Sequence, residues 1–193
     1  MPNLRERRRL QTAQEIQQAT LALITEKGFE NVTTLEISQH LGISPRTFFN
    51  YYANKESALM GPEMSMPEQD IETFMKNEAG FYESIRQLML ANTLALEPHR
   101  HELLVAQEVM QDHPRLSQIR LVRMGKMRDQ LSRVLAEKYP EYPPLTLNIL
   151  ADVLLSSGWS GVELWLGSDI SLEDAFQQSW QSLTQISSLL SEN

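Results

Sequence analysis

One stretch, TTLEISQHLGISPRTFFNYYANK, most constrains what this chain can fold into. Thr33 is a preferred N-cap residue, and Glu36 three positions later completes a capping box, so a helix should begin here. Gly42 should end that helix because glycine adopts a left-handed conformation without a Cβ penalty. Ser44 and then Pro45 should cap and begin the next helix. Two short capped helices around a glycine turn predict a helix-turn-helix.

The second helix, residues 44–52, should have an inward and an outward face. Phe48 and Tyr52 lie four residues apart and should pack inward. The outward residue types suit base edges, since arginine binds guanine, asparagine binds adenine, and threonine binds either or the thymine methyl. An ordinary helical hairpin with a polar surface would show the same spacing. The outward residues are Arg46, Thr47, Asn50 and Tyr51, with Phe49 on the margin.

Two further features would suit phosphate groups. Asn54 can cap a third helix, which would place Lys55 beside the positive end of a helix dipole. A basic cluster near the N-terminus is typical of a solvated charge run, and it is also typical of an arm that contacts the DNA backbone. We favour phosphate contact. The cluster consists of Arg5, Arg7, Arg8 and Arg9.

Composition limits the cellular setting and the size of the core. The 193 residues are 41% hydrophobic and 22% charged, enough for one sizeable domain or a small one attached to a larger one. Cysteine is absent, which excludes disulfides and suits a reducing cytoplasm. The N-terminus has no secretory signal pattern. The most apolar stretch, LNILADVLLSSGWSGVELWLG, is interrupted by Asp152 and Glu163, so we expect a cytoplasmic protein that does not enter a membrane.

The net charge of −8 is unevenly distributed. Residues 1–60 carry seven Lys/Arg against six Asp/Glu, and residues 61–193 carry ten against nineteen. The acidity therefore lies in the C-terminal part. Any affinity for phosphates must depend on where the positive charges sit and not on their sum.

Helical periodicity extends over the rest of the chain. An apolar stripe predicts one long helix over residues 5–27. The segment GPEMSMPEQD contains two prolines that interrupt helix, which marks a boundary between domains at 1–60 and 61–193. The sequence predicts an all-α fold with a three-helix N-terminal helix-turn-helix head and a C-terminal antiparallel helical bundle, about nine helices in all. Helices are expected near 68–77, 80–96, 98–111, 115–138, 145–167 and 171–190.

The N-terminal part combines a set of residues at defined positions: Gly28-Phe29, Thr33, Ile37, Gly42-Ile43-Ser44, Arg46-Thr47-Phe48-Phe49, Tyr51-Tyr52 and Lys55-Glu56. Together these resemble the DNA-binding region of the TetR (tetracycline-repressor) family of bacterial regulators. The resemblance implies a homodimeric transcriptional regulator, most often a repressor that a small-molecule effector releases from a palindromic operator in double-stranded DNA. It leaves repressor and activator open, and it also leaves open a DNA-binding module whose bundle binds a protein partner.

We expect the residues of the head to divide the contacts with DNA between them. Arg46, Thr47 and Asn50 would read bases. Thr33, Tyr51, Lys55 and the N-terminal arginines would hold phosphates. The expected DNA-binding residues are Thr33, Ser44, Pro45, Arg46, Thr47, Phe49, Asn50, Tyr51 and Lys55.

The last two long helices carry more apolar surface than one face needs. Small residues among them would let another helix approach closely, and a mid-helix glycine costs about 1 kcal/mol relative to alanine. Burial in the chain's own core explains part of this pattern, and relatives in the resembled family dimerise through these two helices. The expected interface residues are Ser157, Gly158, Gly161, Trp165 and Trp180.

The middle helices are rich in methionine. Core packing is the simplest explanation for each methionine, since this side chain fills irregular gaps. The resemblance implies a mostly apolar effector pocket inside the bundle. The expected lining residues are Phe81, Met89, Met110, Met124 and Trp159.

Catalytic and metal-binding patterns are scarce. His99 and His101 lie two residues apart and would point to different sides of a helix, which makes a poor metal site. The chain has no G-x-S-x-G elbow and no glycine-rich phosphate loop. We therefore expect no enzyme activity, no cofactor and no metal.

Overall fold

The computed structural model describes residues 4–191, apart from the side chains of three residues near the C-terminus. This part of the chain forms ten α-helices and two short 3-10 segments, and it contains no strand. The all-α prediction is confirmed. The helices are α1 (Leu4–Lys27), α2 (Thr34–His40), α3 (Pro45–Phe49), α4 (Lys55–Leu59), α5 (Glu68–Lys76), α6 (Phe81–Leu94), α7 (Arg100–Asp112), α8 (Pro114–Lys138), α9 (Pro144–Leu166) and α10 (Leu172–Ser191).

The predicted helix caps are present at the start of α2, α3 and α4. Thr33 accepts from the amide of Glu36, and the Glu36 carboxylate accepts from the amide of Thr33, which completes the capping box. Ser44 caps α3 and Asn54 caps α4, each through a side-chain oxygen. Gly42 has φ +67°, the left-handed conformation that the turn requires. The helix-turn-helix is therefore confirmed as local structure.

Helix α3 is shorter than predicted. The sequence predicted a helix to residue 52, but α3 ends at Phe49 and Asn50 is its C-cap. The amide of Asn50 bonds to the carbonyls of both Arg46 and Thr47, at 3.1 Å each, which tightens the last turn and ends the helix. The chain then continues in a turn, so only the first part of the expected recognition segment is helical.

The chain divides into two compact units. The first comprises the residues up to Met64 together with His101–Arg123, and the second comprises Ser65–Arg100 together with the residues from Met124 onward. The unit that holds the helix-turn-helix thus includes a segment of α7 and α8 from far along the chain. The functional boundary at residue 60 stays a prediction.

Each unit has its own apolar core. In the first unit, α1 packs against α2 and α4. In the second unit, α9 packs along α10, and α6 contacts α5, α9 and α10. The fully buried large side chains of the first unit include Ile16, Ile37, Phe48, Leu59 and Leu116. Those of the second unit include Leu131, Leu135, Leu147, Leu172 and Phe176.

Helix α9 is long and apolar enough to cross a membrane by length and composition alone. Its buried residues include Leu147, Leu154 and Trp165, and they pack within the second unit. Part of its apolar surface is therefore that of a core helix, since α10 and α6 contact it.

Candidate functional site

The inward face of α3 is anchored in the core of the first unit. Phe48 is fully buried, and its ring lies edge-on to Phe49 with the ring centroids 5.5 Å apart. Tyr52 is also buried, and its hydroxyl donates to the carbonyl of Ala13 in α1 at 3.0 Å. Burial raises the pKa of Tyr52 to about 12, against the opposing charge of Arg123. These contacts fix α3 and the turn after it onto α1.

The outward face of α3 presents polar groups to solvent. Arg46 and Asn50 are exposed, and Thr47 and Tyr51 are half-buried. Phe49 is 53% exposed, a large aromatic surface at the end of the helix. These side chains can contact a ligand without unfolding the helix. Their role in base reading and phosphate contact stays a prediction.

Ser44 and Thr47, two of the predicted DNA-binding residues, contact each other at the start of α3. The Ser44 Oγ accepts from the amide of Thr47 at 3.0 Å, and it lies 2.8 Å from the Thr47 Oγ1. Pro45 occupies the first helical position, where a missing amide hydrogen leaves no bond unmade. The start of the helix is thus fixed by its own side chains.

The start of α2 is fixed in the same manner. The Thr33 hydroxyl caps the helix, and the Glu36 carboxylate also accepts from Lys27 Nζ at 3.3 Å. The bonds from Thr33, and secondarily the Lys27 ammonium, hold the pKa of Glu36 below its usual value. Thr33 itself is exposed, so it can reach a ligand while its hydroxyl serves as the cap.

Lys55 already has partners within the first unit. Its Nζ donates to the carbonyl of Phe29 at 2.6 Å and lies 4.3 Å from the centroid of the Phe29 ring. That ring also lies 4.4 Å from the ring of His113, whose Nδ1 is 3.2 Å from the Glu30 carboxylate. An ammonium has three donors, so one bond to a carbonyl leaves donors that can meet a phosphate.

The N-terminal arginines lie on a helix. Helix α1 begins at Leu4, so the basic cluster occupies its first turns, and all four arginines are exposed. Arginine side chains there project from a defined backbone, and a free arm is not needed to place them. Contact with phosphates stays a prediction for this cluster.

The C-terminal end of α4 is held by residues that the sequence did not single out. Gln17 of α1 donates to the carbonyl of Leu59 at 3.3 Å. Gly61 follows with φ +71°, and a Cβ there would lie 2.3 Å from the Gln17 side chain. The last carbonyls of a helix have no intrahelical partner, so a helix that stops before Gly-Pro needs hydrogen-bond donors from elsewhere. The sequence does not show which residues supply them. The guanidinium of Arg123 in α8 donates to the carbonyls of Ser57, Met60, Gly61 and Pro62.

The first unit also contains an open cavity of about 910 Å³. It is bordered by α1, the turn after α3, α4 and the first part of α8. Its charged lining combines both signs, which favours neither a purely anionic nor a purely cationic ligand. The charged residues are Glu6, Arg9, Glu56, Glu63, Arg115 and Arg123.

Helices α9 and α10 border an open groove of about 450 Å³. Its middle is lined by small hydroxyl side chains, which leave room for another surface to approach. The serines are Ser156, Ser157, Ser160, Ser179 and Ser182, and the apolar residues beside them are Val153, Leu164, Leu183 and Ile186.

Several residues expected at a dimer interface pack within the second unit. A Cβ on Gly161 would lie 2.9 Å from Ser179 Oγ, so this glycine lets α10 of the same chain approach α9. Gly158 faces Met89 of α6, where a Cβ would lie 3.6 Å from the Met89 Cε. Ser157 is half-buried and donates to the carbonyl of Ser179 at 3.2 Å. The close approach that Gly161 allows is thus made inside the chain, the alternative that the sequence left open.

The two tryptophans expected at the interface are buried as well. Trp165 is 5% exposed and lies beneath the guanidinium of Arg100, with 5.3 Å from the guanidinium carbon to the ring centroid. Trp180 is 6% exposed and donates through Nε1 to the hydroxyl of Tyr82 at 2.6 Å. Their partners lie in the same unit, so core packing accounts for both.

The five residues expected to line an effector pocket do not gather at one cavity. Met89 is buried in the core of the second unit, and Phe81 and Met124 pack against that core. Trp159 is half-buried and bonds through Nε1 to a carboxylate one turn later. Met110 packs against the core of the first unit. None of the five lines the 910 Å³ cavity or the 450 Å³ groove, and the effector pocket stays a prediction.

Within residues 4–191, no three histidine, aspartate or glutamate side chains are grouped so that they could hold a metal ion. His99 belongs to a 3-10 segment, and His101 lies in the first turn of α7.

Comparison with known proteins identifies the N-terminal region. A sequence model of the bacterial regulatory proteins of the tetR family matches residues 16–59, which comprise the second half of α1 and all of α2, α3 and α4. The HTH-type transcriptional regulator TcmR of Streptomyces glaucescens is 29% identical over 79 residues, 41% of this chain. That match spans 35% of the length of TcmR.

Solved structures share the whole fold. The structure of a TetR-family transcriptional regulator from Syntrophomonas wolfei superimposes with a TM-score of 0.59 at 17% identity, covering 94% of this chain and 95% of that one. The Thermus thermophilus FadR repressor, in complex with lauroyl-CoA, has a TM-score of 0.53 at 18% identity, covering 89% and 93%. Residues 16–59, which contain the capped helix-turn-helix, thus match the DNA-binding region of the TetR family of bacterial regulatory proteins, and the chain shares the fold of solved TetR-family regulators.

Proposed function

We propose that this protein is a homodimeric, cytoplasmic DNA-binding regulator, a repressor that a small molecule releases from a palindromic operator. The observation that carries the proposal is the construction of α3. Phe48 of α3 and Tyr52 of the turn after it are buried, and the Tyr52 hydroxyl bonds to α1, while Arg46 and Asn50 are exposed. A helix fixed in this manner can enter a major groove without losing its own packing.

Base reading is assigned to three residues of this surface. The guanidinium of Arg46 can donate twice to guanine, and the amide of Asn50 can pair with adenine. Thr47 can contribute its methyl group to thymine while its hydroxyl stays on Ser44. Asn50 is the C-cap of α3, so its amide lies at the end of the helix next to the turn.

Phosphate contacts are assigned to the rim of the same surface. Thr33 and Lys55 lie at the N-terminal ends of α2 and α4, where backbone amides and the helix dipole attract anions. Tyr51 and the arginines at the start of α1 complete the set. These contacts set position and overall affinity, and they carry no sequence information directly.

The proposed dimer forms through α9 and α10. Although the expected tryptophans and glycines pack inside the chain, the same two helices expose other apolar side chains. Monomeric proteins rarely expose large contiguous apolar surfaces, which supports a covered face here. The exposed apolar residues are Leu145, Ile149, Val153 and Leu164 on α9 and Ile186 and Leu189 on α10.

The proposed effector is a small molecule held in the second unit. The same fold in Thermus thermophilus FadR carries lauroyl-CoA, which supports the idea that such a bundle can open around a ligand. A ligand shifts a regulator only by its difference in affinity between the two states. A protein partner in place of a metabolite is the alternative, and a ligand screen separates the two.

The experiment that tests the function is selection of bound duplexes from random DNA with the purified protein. We expect a palindromic consensus whose half-sites lie about one helical turn, or a multiple of it, apart. The selected duplex then serves as the probe in a screen of metabolites for release. Enrichment of no sequence over the starting library would refute the proposal.

A further inference from the structure

Arg123 of α8 binds the C-terminal end of α4. Its Nη1 donates to the carbonyl of Met60 at 2.6 Å, and its Nη2 donates to the carbonyl of Gly61 at 2.8 Å. Two longer bonds, both 3.3 Å, reach the carbonyls of Pro62 and Ser57. One guanidinium thus engages the carbonyls at the end of a helix that contains only five residues, Lys55–Leu59.

The chemistry of this contact is that of a cation at the negative end of a helix. The last carbonyls of a helix lack intrahelical partners and carry the negative pole of its dipole. Burial lowers the pKa of Arg123, while the neighbouring charge of Glu63 acts in the opposite direction. A partly buried guanidinium needs such acceptors, because desolvating a charge without them is unfavourable.

Because α4 is short, the contacts at its two ends determine its position. An isolated helix of one or two turns is unstable in water, so tertiary contacts must determine where α4 lies. Its N-terminal end is capped by Asn54, whose Oδ1 accepts from the amide of Ser57 at 2.8 Å. Its C-terminal end is held by Gln17 and Arg123. Lys55 is the first residue of this helix, so the same contacts determine where the Lys55 side chain starts.

We propose that Arg123 is a positioning residue for DNA binding, which holds α4 so that Lys55 is presented to a phosphate. This inference rests on the proposed function and adds to it a residue of α8 that does not itself touch DNA. Loss of the Arg123 bonds would therefore change where α4, and with it Lys55, lies in the first unit.

A double-mutant cycle with the selected duplex tests the role. Arg123→Met and Lys55→Ala should each weaken binding roughly tenfold, and the double variant should bind about as weakly as the weaker single variant. Arg123→Met should also reduce the slope of log affinity against log salt concentration, since one phosphate contact is lost. If Arg123→Met merely lowered the folded fraction, its loss of affinity would multiply with that of Lys55→Ala. The slope of log affinity against log salt concentration would then be unchanged.

Arg100→Met is the matched control. Arg100 donates to the carbonyls of Trp165, Leu166 and Ser168 at the end of α9, so its loss also removes a cation from a helix end. It should lower the melting temperature and leave the affinity for the duplex unchanged. Arg123→Lys keeps the charge with fewer donors and should bind between wild type and Arg123→Met.

The outcomes are distinct. If Arg123→Met does not fold, the cycle is run with Arg123→Lys, for which coupling to Lys55→Ala is still expected. Wild-type affinity in the folded Arg123 variants, or losses that multiply with Lys55→Ala, would overturn the inference and leave the proposed function standing. If the wild-type protein selects no duplex at all, the proposed function fails and this inference falls with it.

Discussion

At the scale of single residues, several side chains assigned to DNA already hold the protein's own backbone. Thr33 and Ser44 cap helices through their hydroxyls, and Lys55 bonds to the carbonyl of Phe29. A side chain that is fixed before binding loses less rotamer entropy on contact with a ligand. Thr33, Ser44 and Lys55 should therefore lose little rotamer entropy when they contact a phosphate.

Arg46 and Lys55 should respond differently to truncation. Arg46→Ala should cost about 1–3 kcal/mol on the selected duplex and relax the preference for one base pair, because a base contact is lost. Lys55→Ala should weaken binding to all sequences alike and flatten the salt dependence. Binding isotherms on the selected duplex, on single base-pair variants of it and on random DNA measure both. A loss confined to one sequence with Lys55→Ala would contradict its phosphate role.

Tyr52 should make the protein sensitive to alkaline pH. Its pKa is about 12 in the folded protein, against about 10 in an unfolded chain. Since the folded pKa is the higher one, this stabilisation is complete below pH 10 and is lost as the pH rises from about 10 to about 12. Tyr52→Phe should lose about 1 kcal/mol at neutral pH with the bond to Ala13.

Denaturant unfolding of both proteins between pH 8 and 12 checks this. The window runs from roughly two pH units below the unfolded pKa up to the folded pKa. The difference in stability between wild type and Tyr52→Phe should shrink as the pH rises. A difference that stays constant across the window would show that Tyr52 titrates alike in both states.

At the scale of elements, three cations close the C-terminal ends of helices. Arg123 binds the end of α4, and Arg100 binds the end of α9. Lys138 donates to the carbonyls of Phe74 and Asn77 at the end of α5, and its Nζ lies 4.4 Å from the centroid of the Phe74 ring. Each contact joins elements far apart in the chain, so the ends of helices are also the places where segments within each unit are tied together.

Gly61 should tolerate alanine less well than Gly80 does. Both have positive φ, +71° and +84°, so alanine at either position should cost about 1–2 kcal/mol from backbone strain. Only at Gly61 would the new Cβ overlap the Gln17 amide, at 2.3–2.4 Å. The displaced Gln17 would also lose its bond to the Leu59 carbonyl, which adds about 1 kcal/mol.

Urea unfolding of the two alanine variants measures the difference, with Gly125→Ala as a further control. Gly125 lies within α8 with open space around its Cβ position, so alanine there should stabilise by about 1 kcal/mol. Equal losses at Gly61 and Gly80 would mean that Gln17 moves aside without consequence.

The helices could be predicted because their ends are encoded locally. Thr33, Gly42, Ser44 and Pro45 act within four residues of where they stand, and their effects appear in the structure as expected. The partner of a side chain is not encoded in this way. Gly161 correctly signalled a close helix approach, but nothing in the local sequence says that the approaching helix is α10 of the same chain.

The same limit applies to the candidate site. The exposure of Arg46 and Asn50 follows from the periodicity of a short helix. The donor at the end of α4 comes from Arg123 in α8, sixty or more residues away along the chain, and no spacing rule reaches that far. The expected pocket residues were chosen by residue type, and residue type does not place Met110 and Met89 in different units.

At the scale of the whole molecule, the distribution of charge limits how DNA can be held. The chain carries a net charge of −8, and its N-terminal 60 residues are nearly neutral. Long-range attraction to DNA is therefore weak, and affinity must come from short-range contacts on a small surface. In a dimer on one palindrome, binding of the first head would raise the effective concentration of the second head at the other half-site. The proposed regulator therefore depends on dimerisation.

Charge on the exposed face of α9 should therefore separate the proposed dimer. Ile149 is 55% exposed on α9, and glutamate there would place an unpaired charge in the proposed interface. Ile149→Glu should sediment as a monomer at micromolar concentration and bind the selected palindrome far more weakly, while its far-UV spectrum and its weak binding to a single half-site persist. Leu121→Glu is the matched control, because Leu121 is 69% exposed on α8 and lies outside the proposed interface. A wild-type protein that sediments as a monomer, or an Ile149→Glu variant that stays dimeric, would refute the α9 and α10 interface.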